Sequence, residues 1–422
     1  MLIERFICNI ARKKNADYLR FSPGESYDVP RPRGVVPRLL YLHVPFCEEL
    51  CPYCSFNRVV FKEQLARDYF SALRKEISLY GELGYTFNAI YVGGGTPTVL
   101  IDELSETLAL SKRLFPIREI SVETNPNHLT PPNLAQLKEM GINRLSVGVQ
   151  TFDDGILRAV ERFHKYGSGE EITARLKETM GCFDTLNVDM IFNFPTQTMG
   201  MLEGDLDILT GLHVDQVTFY PLMVSTSTEK IMGKKLGKVD YDRGRDMYMT
   251  ITQRLKGAYV PSTAWCFSRG DVMIDEYVVN YDEYAGLGSG SIGYLGGSVY
   301  SNTFDIPAYI DCLKNGRFPV AARKDCGTRE RLLYDFLMKL FGITLDLDEL
   351  SRKHGVNAPL YLLPEITFFR TTGGLTKEGN KLTLTPKGQY YWVIMMREFF
   401  IAVNNFRDYC RALIDPSSSS RT

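Results

Sequence analysis

The chain has 422 residues, 44% of them apolar and 23% charged, the composition of a globular protein long enough for one large domain and a smaller one. Its formal net charge is −1, so no strong field draws in nucleic acid or another polyanion. No stretch offers the roughly 18 consecutive apolar residues of a membrane span, and the charged start lacks a signal peptide's apolar run, which together point to the cytoplasm.

Residues 1–38 read as an N-terminal arm. Its start, LIERFICNIARKK, sets Ile3, Phe6, Ile7 and Ile10 beside Arg12, Lys13 and Lys14, a pattern shared by packing helices and by helices that lie on a membrane surface. A piece rich in Pro and Gly follows, without periodicity. From residue 39 to 265, short apolar runs (LLYLHV, NAIYVGG, EISVETN, RLSVGVQ, LNVDMIF, QVTFYPLMV) alternate with helical segments. Six such runs predict repeated βα units and a parallel sheet, closed as a barrel or left as an open arc. Ligands of such α/β folds sit at the C-terminal strand ends. Residues 266–320 read as a Gly-rich linking region, densest at EYAGLGSGSIGYLGG. Residues 321–415 change pattern to helix, helix, short hairpin and closing helix, a winged-helix-like cap. With no basic excess, it reads as a lid on the mouth of the sheet and not as a DNA reader. Residues 416–422, PSSSSRT, read as a disordered tail.

Nine cysteines are present. Cys8, Cys182, Cys266, Cys312, Cys326 and Cys410 are scattered, as in a reducing compartment. The other three stand together in LHVPFCEELCPYCSF, as Cys47-x3-Cys51-x2-Cys54. Structural zinc wants four ligands and no second pair exists; a dithiol redox pair would leave Cys47 without a role. A cubane iron–sulfur cluster normally takes four thiolates. Three would leave one iron open to a small molecule.

That motif and its strand context resemble those of the radical S-adenosylmethionine (SAM) enzymes. The resemblance implies a partial TIM-type (β/α)6 radical SAM barrel, a 4Fe-4S cluster on Cys47, Cys51 and Cys54, and SAM on the open iron, cleaved reductively to a 5′-deoxyadenosyl radical. A low-potential flavodoxin or ferredoxin would supply the electron. The glycine turn YVGGGTPT, followed by SVETNP, LSVGVQTF, VERFH and NVDMIF, resembles more narrowly the oxygen-independent coproporphyrinogen III oxidases and their relatives. That likeness implies that Tyr41, Tyr53, Gly94, Gly95, Thr96, Glu123, Gln150, Arg162 and Asp189 hold one or two SAM molecules. No catalytic acid or base can be assigned, although Tyr281, Asp282, Glu283 and Tyr284 are expected near the substrate.

Departures from the oxidase pattern steer the functional reading. The oxidase carries a further cysteine two residues after the last ligand, where Phe56 stands. The heme-chaperone relatives carry a His-Asn-x-x-Tyr-Trp segment, where VVNYDEY stands. The expectation is a two-SAM C-methyltransferase, a branch similar in sequence to the oxidase; within it CPYCSFNR and SVETNPNHLT resemble the menaquinone C8-methyltransferases, which implies C-8 of menaquinone as the ring carbon methylated. The oxidase, and then a heme chaperone or heme-degrading relative, are the alternatives. Either way the substrate is small and apolar or aromatic, a quinone or a tetrapyrrole. Trp265, Phe267, Tyr277, Tyr281 and Tyr284 are expected at the mouth, and a monomer, with possible peripheral contact at the inner membrane face, is anticipated.

Overall fold

The computed structural model describes residues 2–19, 21–23, 28–34, 36–270 and 277–414; the tail read as disordered lies outside them. Six strands stand side by side in chain order, each parallel to the next: β1 (Arg38–Val44), β2 (Ala89–Gly94), β3 (Glu119–Thr124), β4 (Arg144–Gln150), β5 (Thr185–Phe192) and β6 (Gln216–Pro221). The helices Glu63–Glu82, Ile101–Leu114, Pro131–Glu139, Gly169–Thr179 and Met199–Leu212 return the chain between them. Period-2 alternation divides each strand between two environments. Leu40, Leu42, Ile90, Val92, Ile120, Val122, Leu145 and Val147 join the main apolar core with the helices. The alternate positions carry Tyr41, Tyr91, Ser121, Glu123, Ser146 and Asp189 and face the hollow of the arc.

That hollow is layered by hydrogen bonds from strand to strand, because a polar group buried there must find a partner. Arg144 donates to Gln216 Oε1 at 2.9 Å and to Ser121 Oγ at 3.0 Å. One layer higher, Ser146 Oγ donates to Asp189 at 2.8 Å and Asn187 Nδ2 to Asp189 at 2.7 Å.

The arc stays open, in a (β/α)6 partial barrel. Past β6, the antiparallel strand β7 (Cys266–Ser268) covers one edge. Past β1, the parallel strand β8 (Glu283–Leu287) and the antiparallel strands β9 (Ile292–Leu295), β10 (Ser298–Asn302) and β11 (Val320–Asp325) extend the sheet. The glycine-dense segment read as a linking region is therefore sheet. Its glycines serve close packing: a Cβ on Gly286 would lie 2.2 Å from Ile292 O, and one on Gly293 2.2 Å from the Tyr300 ring. The buried carboxyl of Glu76 ties this extension to the first barrel helix. It accepts from Gly288 N (2.9 Å), Asn302 Nδ2 (2.7 Å) and Tyr309 OH (2.5 Å).

The C-terminal part sets the helices Thr328–Phe341, Leu347–His354 and Leu363–Thr371 around a small sheet of β12 (Thr344–Asp346), β13 (Leu375–Glu378) and β14 (Lys381–Leu384). A long helix, Pro386–Ile414, then runs back to the barrel, where Asn404 donates to Met223 O (3.3 Å) and Asn405 accepts from Thr226 N (2.8 Å). The first helix, Leu2–Tyr18, packs along it through buried Ile7 and the Arg12–Glu398 pair at 2.5 Å, and the Phe6 and Phe368 rings meet at 5.6 Å. Its apolar stripe is thus partly covered within the chain, with Ile7 buried and Phe6 and Ile10 left exposed. Among the described residues no helix is long and apolar enough to cross a membrane.

Candidate functional site

The three clustered cysteines leave β1 on a loop whose two ends are clasped together. Phe46–Cys47 pairs in parallel with Val59–Val60, and Phe61 N donates to Cys47 O at 2.8 Å. None of the three is in a disulfide; Cys47 and Cys51 are buried and Cys54 half-buried. Two arginines face them. Arg162, 3% exposed, donates to Cys51 Sγ at 3.6 Å and Tyr53 OH at 3.3 Å, and stacks over the Tyr166 ring at 4.1 Å. Arg58 donates to Cys51 O at 2.6 Å and lies against the Cys54 thiol. One buried Nε of each arginine has no partner. Burial pushes the Cys47 thiol up to about 11, so a thiolate there needs positive charge beside it.

This donor set fits a 4Fe-4S cluster better than a single ion. Among the described residues, no three His, Cys, Asp or Glu side chains converge as one mononuclear ion would require. A cubane presents a different iron to each thiolate, and cationic neighbours offset the charge of the thiolates.

Beside the loop lies the glycine turn that ends β2. The amides of Gly95 and Thr96 donate to Val44 O and Phe46 O, both at 2.7 Å, which joins turn and loop by backbone. Added Cβ atoms would lie 2.7 Å from the His43 ring at Gly94 and 2.6 Å from Phe46 O at Gly95. Gly94 also has φ +117°, a region that disfavours side chains. Replacing Gly95 with Ala is expected to force the loop outward, at a cost of about 1–3 kcal/mol in stability, and to lower the iron retained after reconstitution. Iron assay beside thermal unfolding checks this.

The remaining expected contacts stand on neighbouring strands at the same end. Glu123, on β3, accepts from Tyr91 OH (2.9 Å) and Gly94 N (3.1 Å). Thr96 Oγ1 accepts from Asn125 at 2.8 Å. Gln150 ends β4 with φ +77°, where a bulge shifts the register against β5. Asp189 lies deeper, held by Ser146 and Asn187. Tyr53 packs edge-on against Phe194. Tyr41 OH donates to His43 Nδ1 at 3.0 Å, while His43 Nε2 lies 2.8 Å from Asn57 O. A carbonyl only accepts, so Nε2 carries the proton; burial, which pulls this histidine down to about 4, keeps the ring neutral. The Tyr41 ring stacks on those of Tyr91 and Tyr277 at centroid distances of 6.1 and 5.9 Å, Tyr91 meets Tyr277 at a tilt at 5.3 Å, and the three floor the hollow.

Three groups expected near the substrate sit elsewhere. Glu283 is paired with Arg38 (2.6 Å) at the start of β1, Asp282 with Lys339 and Lys353 (both 2.9 Å), and Tyr281 with Glu119 (3.0 Å) at the start of β3. These are the N-terminal strand ends, opposite the cysteine loop. Trp265 packs against Tyr220, Phe341 and Phe400 in the core. Of the expected aromatic set, Tyr277 joins the floor next to Tyr41, and Tyr284 packs edge-on against Tyr277 at 5.2 Å. Sequence reasoning missed His43, Asn57, Arg58, Arg407 and Arg411. The first three flank the cysteine motif and could have been read from it; the last two arrive on the C-terminal helix and carry no local mark.

Residues 41–209 match the Radical SAM superfamily. The chain is 30% identical to the heme chaperone HemW of Bacillus subtilis over 313 residues, covering 71% of this chain and 82% of the relative. It is 28% identical to the oxygen-independent coproporphyrinogen III oxidase of Bradyrhizobium diazoefficiens, over 83% of this chain and 84% of that one. Among solved structures, coproporphyrinogen III oxidase (HemN) from Escherichia coli superposes with a TM-score of 0.71 at 22% identity, covering 86% of this chain and 90% of that chain. The chain belongs to the radical SAM superfamily, in its coproporphyrinogen III oxidase-like family. It is a radical SAM enzyme that uses a 4Fe-4S cluster and SAM.

These relatives overturn the menaquinone methyltransferase expectation. Matched along most of the chain, they are named for heme and for coproporphyrinogen, and none of them is a quinone methyltransferase. The stretches CPYCSFN and SVETNP did not separate a quinone methyltransferase from relatives named for heme and coproporphyrinogen.

Proposed function

We propose that this enzyme acts on a carboxylate-bearing tetrapyrrole and oxidises its side chains, as an oxygen-independent coproporphyrinogen III oxidase does by name. The observation that carries this reading is the run of similarity to proteins named for coproporphyrinogen and heme, which spans more than the cofactor-holding barrel. The floor of Tyr41, Tyr91 and Tyr277 supports it, since aromatic faces suit the individual pyrrole rings of a tetrapyrrole. When bound, cluster and SAM supply one-electron chemistry strong enough to remove hydrogen from an unactivated carbon. The chain's own groups do the positioning. Cys47, Cys51 and Cys54 would take three irons, and Arg162 and Arg58 would offset thiolate charge. The close backbone of Gly94, Gly95 and Thr96, whose own amides are taken by Glu123, Val44 O and Phe46 O, would let SAM approach, and Glu123, Gln150 and Asp189 would hold it. Tyr41, fixed by His43, would border its adenosyl end. A low-potential flavodoxin or ferredoxin would deliver the electron.

Phe56 favours a second reading, heme handling, because it replaces the oxidase's extra cysteine and the Bacillus subtilis heme chaperone is 30% identical. The two separate in one anaerobic experiment with reconstituted protein, dithionite, SAM and coproporphyrinogen III. Loss of carboxyl mass from the porphyrinogen, with SAM consumed, supports oxidation. Tight heme binding with no change in porphyrinogen mass supports heme handling and removes the oxidase reading.

A further inference from the structure

The last turns of the C-terminal helix roof the cysteine loop with two arginines one turn apart, Arg407 and Arg411. Arg411 is fully engaged: it donates to Ser55 O (3.3 Å), Phe56 O and Asn57 Oδ1 (3.4 Å), and pairs with Asp408 (3.3 Å). It fastens the helix to the chain just beyond Cys54. Arg407 differs. It is 8% exposed, its Nη1 donates to Asn404 (3.0 Å), its guanidinium stacks on the Phe56 ring at 5.0 Å, and its Nε has no partner.

A buried guanidinium without a carboxylate is costly, yet among the described residues none pairs with Arg407. Its neighbour Asp408 is turned to Arg411 and to the Ser227 hydroxyl. Besides Asp408, which is within electrostatic reach but makes no ion pair with it, Arg407 has Cys54, Tyr41 and Tyr277 as its electrostatic neighbours, the third cysteine and the aromatic floor. The thiols have nearer cations in Arg58 and Arg162, so Arg407 is not needed to offset them.

We infer that Arg407 is the receptor for a carboxylate of the substrate, seated between the Tyr41–Tyr277 floor and the C-terminal helix, with Arg411 as the positioning residue that fastens this roof to the loop. This rests on the tetrapyrrole reading, whose propionates are the carboxylates in question. A guanidinium presents paired N–H donors to a carboxylate. Placed here, it would hold one propionate at the reacting end and leave the ring on the tyrosines. SAM carries the same chemical group, so the test must tell the two carboxylates apart.

Equilibrium dialysis of the full, reconstituted protein with coproporphyrin III, with its tetramethyl ester and separately with SAM provides that test. In Arg407→Met, binding of the free acid should weaken about tenfold to a hundredfold, the loss expected for a charge-assisted hydrogen bond, with the ester and SAM unchanged. Arg407→Lys should recover part of the affinity, and serves as the comparison if Met impairs folding or iron content. Equal acid binding in wild type and variants overturns the receptor while leaving the tetrapyrrole reading in place. Weakened SAM binding with intact acid binding assigns Arg407 to SAM and overturns it equally. A wild type that binds neither acid nor ester removes the tetrapyrrole reading and this assignment together.

Discussion

Anaerobically reconstituted Cys51→Ala protein is expected to retain little iron and acid-labile sulfide and to cleave SAM only at background. Cys47→Ala and Cys54→Ala should behave alike. Each thiol would serve a different iron, so none can stand in for another. Cys51 also meets Arg162, and its removal leaves that buried guanidinium facing a gap. Cys182→Ser and Cys312→Ser, changes at scattered half-buried thiols, should hold iron as the wild type does. Wild-type iron and sulfide in any of the three loop variants would show that the loop is not the cluster site. Arg162→Met should follow with a milder loss, about tenfold to a hundredfold in cluster retention, as for groups that orient a metal's ligands.

A large stability effect is expected at Glu76. Burial raises its carboxyl to about 7 from an ordinary value of 4.5, against the opposing pull of Tyr309, Gly288 and Asn302. The folded state therefore keeps a proton that the unfolded chain has released anywhere between those two values. Stability contributed by this group is full below about 4.5, falls as pH rises through the window, and is level above about 7. Glu76→Gln, neutral at every pH, should flatten that slope in thermal unfolding midpoints measured from pH 5 to 8. Asp205, also raised by burial to about 7, has the same sign and leaves a residual slope. Glu76→Ala strands three donors at once and should cost about 3 kcal/mol or more. A Glu76→Gln profile parallel to the wild type would remove the assigned titration.

Much of this architecture was legible in the sequence because local pattern and tertiary role coincide there. The six apolar runs became β1 to β6 in chain order, and the Cys-x3-Cys-x2-Cys spacing with its strand context led to the superfamily. Where the pattern and the role diverge, the reading failed. Gly286 and Gly293 resemble loop punctuation, yet they are the price of strands packed too closely for a Cβ. Glu76 looks like any helical carboxylate, and only the fold brings Asn302 and Tyr309 to it. Arg407 and Arg411 are distant in sequence from the loop they cover. Asp282 and Glu283 sit beside the floor residue Tyr277 in sequence, but lie at the far strand ends because β8 runs parallel to β1 and begins there. The choice among substrates was least legible, since the motifs that led to the superfamily did not separate a methyltransferase from relatives named for coproporphyrinogen and heme.

The central claim, a radical SAM enzyme whose substrate is a tetrapyrrole, is tested most directly by measuring 5′-deoxyadenosine formed anaerobically from SAM with dithionite, in the presence and absence of coproporphyrinogen III. Formation that rises with the porphyrinogen and tracks its change in mass is the predicted result. Formation indifferent to the porphyrinogen, with the tetrapyrrole recovered unchanged and unbound, would contradict it.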